Sequence, residues 1–295
     1  MSKHVETLSQ EQRSKRILTF TFTVIAIFYV LPIMLVLINS MKSNSYVNME
    51  TFALPNANSF VGLDNYKTGM TFGNYPFLKS ALYSLFITVT SSVLILICTS
   101  MAAWYIARVG SLFGKIVYYL CVFSMVVPFQ MVMFTLAKTA DTLKLNTPWT
   151  IPIVYLGFGA GLAVFMFTGF VKALPLEIEE AAAIDGCGPL RTLVRIVLPL
   201  SLPVIMSVTL FFMVDYWNSY YSYVYYCYDP DLRPLQVVLR EIIKKATGDA
   251  EAEEYVPTIT VQMSAIVFAC IPIICVYPFL QKYFTKGVML GAIKG

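Results

Sequence analysis

Histidine is almost missing from this chain, and charge is scarce. One histidine, His4, stands among 295 residues, and 13% of the residues are charged. A lone imidazole near the N-terminus argues against a histidine-based catalytic or metal site. Soluble domains carry about 25% charged residues. The deficit, set beside 58% hydrophobic residues, points to a chain that crosses a membrane several times. The six cysteines, Cys98, Cys121, Cys187, Cys227, Cys270 and Cys275, form no C-x-x-C pair. That removes the usual zinc and dithiol motifs and leaves buried free thiols as the expectation. No H-E-x-x-H or G-x-S-x-G sequence occurs, so no catalytic residues are assigned. The nearest approach to a phosphate-binding loop is Gly110-Ser111-Leu112-Phe113-Gly114-Lys115-Ile116. It is one residue short between its glycines and has Ile where Ser or Thr would meet magnesium, so it reads as a basic inner loop. The net charge of +4 is scattered rather than blocked and gives no sign of nucleic-acid binding.

What the chain does have is long apolar runs. A hydrocarbon core needs about 20 apolar residues per helix. Six stretches qualify, at approximately 17–38, 81–107, 116–137, 149–171, 199–226 and 258–284. The expected fold is therefore an all-α polytopic membrane protein with six transmembrane helices. The first run follows Arg13, Lys15 and Arg16, is too long for a signal-peptide core and reads as an uncleaved span. Lys and Arg are denser on the segments that an inside N-terminus would place inside, which favours both termini inside. The expected divisions are an inner N-terminal segment over 1–16, a membrane domain over 17–284 with an inner loop at about 173–198, and an inner tail over 285–295. Pro128 is expected to kink the third span. Gly157 and Gly161 form a G-x-x-x-G face on the fourth, expected to serve helix packing. The outer segment from about Asp229 to Pro257 ends in the acidic run 249–254, which reads as a solvated loop or as a docking surface.

The most informative stretch lies between the fourth and fifth spans. Glu177, Glu179 and Glu180 complement the positive end of a short helix that continues through Ala181, Ala182 and Asp185. Gly186 is a natural stop, and Gly188-Pro189 restarts a helix. Leu190, Leu193, Val194 and Val197 give the second helix an apolar face, and Arg191 and Arg195 a basic one. It leads through Ile196 and Leu198-Pro199 into the fifth span. On composition alone the segment could be an ordinary amphipathic connector.

The spacing Glu180-Ala181-Ala182, Gly186, and Ile196-x-Leu198-Pro199 resembles the coupling loop of permeases from type I ATP-binding-cassette (ABC) importers. Most of the chain resembles the carbohydrate-type branch, in particular its second, maltose-type permease. Pro128-x-Gln130, Trp217-Asn218, Gln281 to Gly287 and the ending Gly291 to Gly295 fit the same pattern. Cys187 departs from the small residue usual at its position. Arg233-Pro234-Leu235-Gln236 with Leu239-Arg240-Glu241 resembles a subgroup handling oligosaccharides or sugar-derived polymers. The resemblance implies one half of a translocation path in a bacterial cytoplasmic membrane. It implies a paralogous permease, two ATPase subunits that hold the ATP and magnesium, and an extracytoplasmic solute-binding protein. It assigns ATPase coupling to Glu180, Ala181, Ala182, Asp185, Gly186, Ile196, Leu198 and Pro199, and tail contacts with the ATPase to Lys286, Gly287 and Lys294. It implies no cofactor or metal on this chain.

Asp215 lies within the fifth span, where a carboxylate costs about 2.5–3.5 kcal/mol on insertion scales. Asp215, Asn218, Ser219 and Ser222 fall at i, i+3, i+4 and i+7 and would share one helical face. Trp217, Tyr220 and Tyr221 flank it. Such a stripe suits sugar hydroxyls and aromatic stacking, which makes Asp215, Trp217, Asn218, Ser219, Tyr221 and Ser222 the expected substrate path. An outer aromatic belt, or a structural role for Asp215 against another subunit, fits the same residues. Two rival readings are an ABC permease for a peptide or amino acid, and an ion-coupled secondary transporter. The second would have to rest on Asp215 alone.

Overall fold

The computed structural model describes residues 2–71, 77–220, 232–246 and 258–292; side chains are described for these except at 2–11, 244–246, 280 and 282–292. Hydrocarbon offers backbone groups no water, so a chain this apolar satisfies them within helices. The described residues accordingly form helices joined by turns and loops, with one isolated bridge between Lys42 and Phe60. Two compact units are formed, Met1–Phe72 with Ile242–Phe268, and Gly73–Glu241 with Ala269–Gly295.

In the first unit α1 (Ser2–Ser40) is followed by the short α2 (Asn44–Val47) and by α3 (Asp64–Thr71). Polar groups lock the segment between them. Lys42 is fully buried and donates to the Glu50 carbonyl at 2.6 Å, and Asn65 Nδ2 donates to the carbonyls of Ser40 and Lys42 at 2.8 Å. In the most apolar stretch of α1, by contrast, no residue is buried among the described residues.

The second unit holds α4 (Phe77–Val109), α5 (Leu112–Val126), α6 (Phe129–Thr142), α7 (Ile151–Ala173), α8 (Leu176–Ile184), α9 (Pro189–Thr192), a π-helical turn (Leu193–Val197), α10 (Leu198–Leu200) and α11 (Leu202–Asn218). Most of α12 (Leu235–Ala246) and the latter part of α13 (Ile259–Ala292) also belong to it. Its core is made by α4, α7 and α11, through residues such as Ile87, Ile95, Val154, Phe167, Val208 and Phe212. The buried face of α4 carries small hydroxyl residues, Ser80, Ser84, Thr88, Ser91 and Ser92 among them, which let helix backbones come close.

Among the described residues four helices are individually long and apolar enough to span a membrane, and the total is six if each of two bent pairs forms one span. The expected third span is the larger departure. Pro128 does not kink one helix; α5 and α6 turn through 113° at Val127-Pro128. Proline drives the residue before it out of the helical region, and Val127 is extended at ψ 115°. The fifth span is also divided, by 77°, where Ser201 separates α10 from α11. The glycine face on α7 is shifted. A Cβ at Gly157 would meet nothing, whereas one at Gly159 would lie 2.7 Å from the Tyr216 hydroxyl and one at Gly161 2.5 Å from the Cys121 carbonyl oxygen. The close approaches are thus at Gly159, towards α11, and Gly161, towards α5.

Two further expectations change. Gly110 has φ +63° and Ser111 caps α5, accepting from the Gly114 N–H at 3.0 Å, so the basic inner loop is a tight helix-to-helix turn. The cysteines are free where described, but Cys98, Cys270 and Cys275 are exposed rather than buried. In a membrane an apolar run faces lipid or neighbouring subunits as readily as its own core. Helix α13 runs on through residue 284 to Ala292.

Candidate functional site

The loop over 173–198 is built as its residues dictate. Pro175 caps α8, and Gly186 ends it at φ +79°. The Gly186 N–H donates to the Ala183 carbonyl at 3.0 Å and the Cys187 N–H to the Ala182 carbonyl at 2.9 Å, the paired bonds of a Schellman motif. Gly188 and Pro189 then open α9. The Leu198 N–H reaches back to the Leu193 carbonyl, which closes the π-helical turn before Pro199. Leu193 and Val197 are buried with Val171, while Leu190 and Val194 face outward, so the expected apolar face is split in two. Ala182 is buried, Ile196 and Leu198 are half-buried, and Glu180, Ala181, Asp185, Gly186 and Pro199 are exposed.

Glu179 anchors this loop, and sequence reasoning assigned it no more than a place near the helix dipole. Its carboxylate accepts from Arg108 Nε at 2.7 Å and from the Trp104 indole at 2.9 Å. Arg108 also donates to the Leu174 carbonyl at 3.2 Å. The Arg108 and Glu179 side chains are 14% and 11% exposed, so the pair is largely withdrawn from solvent. Trp104 and Arg108 stand four residues apart at the end of α4. That pairing of two donors at the close of an apolar run was the signal available in the sequence. The result is that α8 is fastened to α4 through one face and presents Glu180, Leu176, Ile178 and Ile184 on the rest of its surface.

Gly186 and Gly188 make a matched test of this geometry. An alanine at Gly186 is forced into the left-handed region at a cost of about 1–2 kcal/mol. Gly188 has φ −69° and open space around it. Gly186→Ala is expected to lower the melting temperature of the purified chain measurably and Gly188→Ala to leave it within error. Equal shifts would count against the cap geometry.

A cavity of about 690 Å³ lies where the α5–α6 turn, α7, the end of α11 and α12 meet. The size is within the usual range for ligand sites. Asp215, Asn218, Ser219, Tyr220 and Arg240 line it, with Pro128 and Phe129 from the turn. Gly159 lets the Tyr216 ring lie against α7, where it stacks on Tyr155 at 4.5 Å, and the Tyr155 hydroxyl donates to Ser219 Oγ at 3.0 Å. The Arg240 guanidinium sits 4.2 Å from the centre of the Tyr220 ring. Asp215, Asn218 and Ser219 thus come together as expected, although α11 ends at Asn218 and Ser219 is extended, so the shared face is not a continuous helix. Trp217 does not join them. It is buried, and its indole donates to the Ala269 carbonyl on α13 at 3.0 Å. Tyr221, Ser222 and Lys294 lie outside the described residues, and Lys286 and Gly287 are described only as helical backbone.

Residues 95–290 match the family model for the binding-protein-dependent transport system inner membrane component. The polygalacturonan/rhamnogalacturonan transport system permease protein YtcP of Bacillus subtilis (strain 168) is 34% identical over 74% of this chain and 77% of its own length. The probable starch degradation products transport system permease protein AmyC of Thermoanaerobacterium thermosulfurigenes is 29% identical over 95% of this chain and 97% of its own. Among solved structures, a chain of a bacterial ABC transporter involved in the import of the acidic polysaccharide alginate superposes with a TM-score of 0.74 at 24% identity, covering 92% of this chain and 98% of that one. The fold is therefore that of an ABC importer permease. With two thirds of its length matched by the family model and a 34% identical relative covering 74% of it, the chain belongs to the family of inner membrane components of binding-protein-dependent transport systems.

Proposed function

We propose that this chain is the permease subunit of an ATP-driven importer and forms half of a carbohydrate path, with an oligosaccharide as the solute. The observation that carries the proposal is the α8 loop, anchored on one face by Glu179 and exposed on the other along Glu180 and Ile184. In this reading an ATPase subunit grips the exposed face. A paralogous permease completes the path, two ATPase subunits bind the ATP and magnesium, and an extracytoplasmic binding protein delivers the solute. Both termini face the cytoplasm, and the end of α13 around Lys286 and Gly287, with Lys294 beyond it, reaches towards the ATPases. Closure of the ATPases moves the loop, and the loop moves α4 and α11 as rigid bodies. The names of YtcP and AmyC support a carbohydrate over a peptide.

Asp215 is the residue of the cavity best suited to accept hydrogen bonds from sugar hydroxyls. Reconstitution of the four kinds of subunit in liposomes tests the proposal. Saccharide uptake is expected to require ATP and the binding protein. Asp215→Asn is expected to lower it roughly tenfold while the subunits still copurify. Uptake by this chain with no ATPase present would mean an ion-coupled transporter instead. Unaltered uptake in the Asp215 variant would remove that residue from the path.

A further inference from the structure

We propose that Arg240 receives the carboxylate of an acidic sugar unit, so that the solute drawn through the cavity is an anionic, uronate-bearing oligosaccharide. The inference rests on the carbohydrate reading above and narrows it. Among the described residues the cavity is lined by two charged side chains, Asp215 on α11 and Arg240 on α12, and neither is in an ion pair with another described residue. The obvious competitor for Arg240 is its neighbour Glu241, and that carboxylate is taken. Arg233 Nη1 donates to both Glu241 oxygens, at 2.7 and 2.8 Å.

Arg240 is also held in place. The Leu235 N–H donates to Ser84 Oγ on α4 at 2.8 Å, and Leu235 and Val238 are buried, which fixes the first turns of α12. The guanidinium lies on the Tyr220 ring. A guanidinium on an aromatic face keeps its edge donors available, and their planar fork matches a carboxylate in a way that isolated hydroxyls do not. A neutral sugar has no need of such a group, because Asp215, Asn218 and Ser219 already supply hydroxyl partners in the same cavity. Asp215 repels a carboxylate placed beside it. The two charges therefore orient an acidic sugar, with its carboxylate towards α12 and its hydroxyls towards α11.

The test uses the complete transporter in liposomes with trigalacturonate, its methyl ester and maltotriose as probes. The ester keeps the rings and removes the charge. Trigalacturonate uptake is expected to exceed that of the ester. Arg240→Gln is expected to lower the ratio of acid to neutral uptake at least about tenfold, and Arg240→Lys to recover part of it. Uptake restricted to the neutral probes, or an Arg240→Gln loss equal for acid and ester, overturns the inference and leaves the carbohydrate reading standing. Failure of all three saccharides alongside ATP-driven uptake of a peptide removes both.

Discussion

In the importer proposed above, replacing Glu179 by alanine is expected to abolish most of the ATP hydrolysis stimulated by the binding protein without dissociating the complex. The carboxylate is shared between the Arg108 guanidinium and the Trp104 indole, and both donors are left without it in the variant. Removing one partner of a buried pair costs about 3–5 kcal/mol. Even the low end of that range shifts the docked population of α8 by roughly a hundredfold. Hydrolysis stimulated by the binding protein should fall at least tenfold. Glu179→Gln retains an acceptor for the indole and should fall less. Arg108→Ala should reproduce the loss, and the double variant should be scarcely worse than either single one, because the two residues act as a unit. Additive losses, or full stimulation in Glu179→Ala, would show that the loop is held by other contacts.

Gly161→Ala is expected to give the largest loss of stability of any single methyl addition to α7. The new Cβ would meet Ser124 Oγ and stand 2.5 Å from the Cys121 carbonyl oxygen, and a backbone atom cannot swing aside as a side-chain tip can. Helices α5 and α7 would have to separate. Overpacking of this kind costs about 1–3 kcal/mol and occasionally more, which corresponds to a drop of roughly 2–8 °C in melting temperature. Gly157→Ala, whose methyl meets nothing, supplies the control on the same helix. Matching losses at the two positions would contradict the packing described for α7.

The elements legible in the sequence are those specified locally. Apolar length announced the membrane helices. The run Glu180-Ala181-Ala182 to Gly186 announced a short helix, its left-handed stop and the restart at Pro189, because capping is decided by neighbours in the chain. What escaped was set by contacts across the fold. Glu179 looked no different from Glu177 or Glu180, because its partners are 71 and 75 residues away. Trp217 looked like a sugar-stacking ring until its indole found a carbonyl on α13. Gly157 and Gly161 had the right spacing for a packing face, yet the close approaches fall at Gly159 and Gly161, which depend on where Tyr216 and Cys121 stand. Pro128 marked a disturbance correctly, but a kink understates a turn of 113°.

The bareness of α1 bears on how this protein can be studied. No residue of its most apolar stretch is buried among the described residues, and burial begins only at Asn39 and Ser40. Each backbone amide in such a helix is satisfied within the helix, so it can insert and persist without tertiary help. Its side chains take their surroundings from whatever medium the chain is placed in. A melting curve of the purified subunit therefore reports partly on the detergent, and two laboratories using different micelles would record different stabilities for one sequence. Comparisons between variants of α1 are meaningful only in a fixed lipid or within the assembled transporter, whereas variants of α7 can be ranked in any medium that preserves its packing.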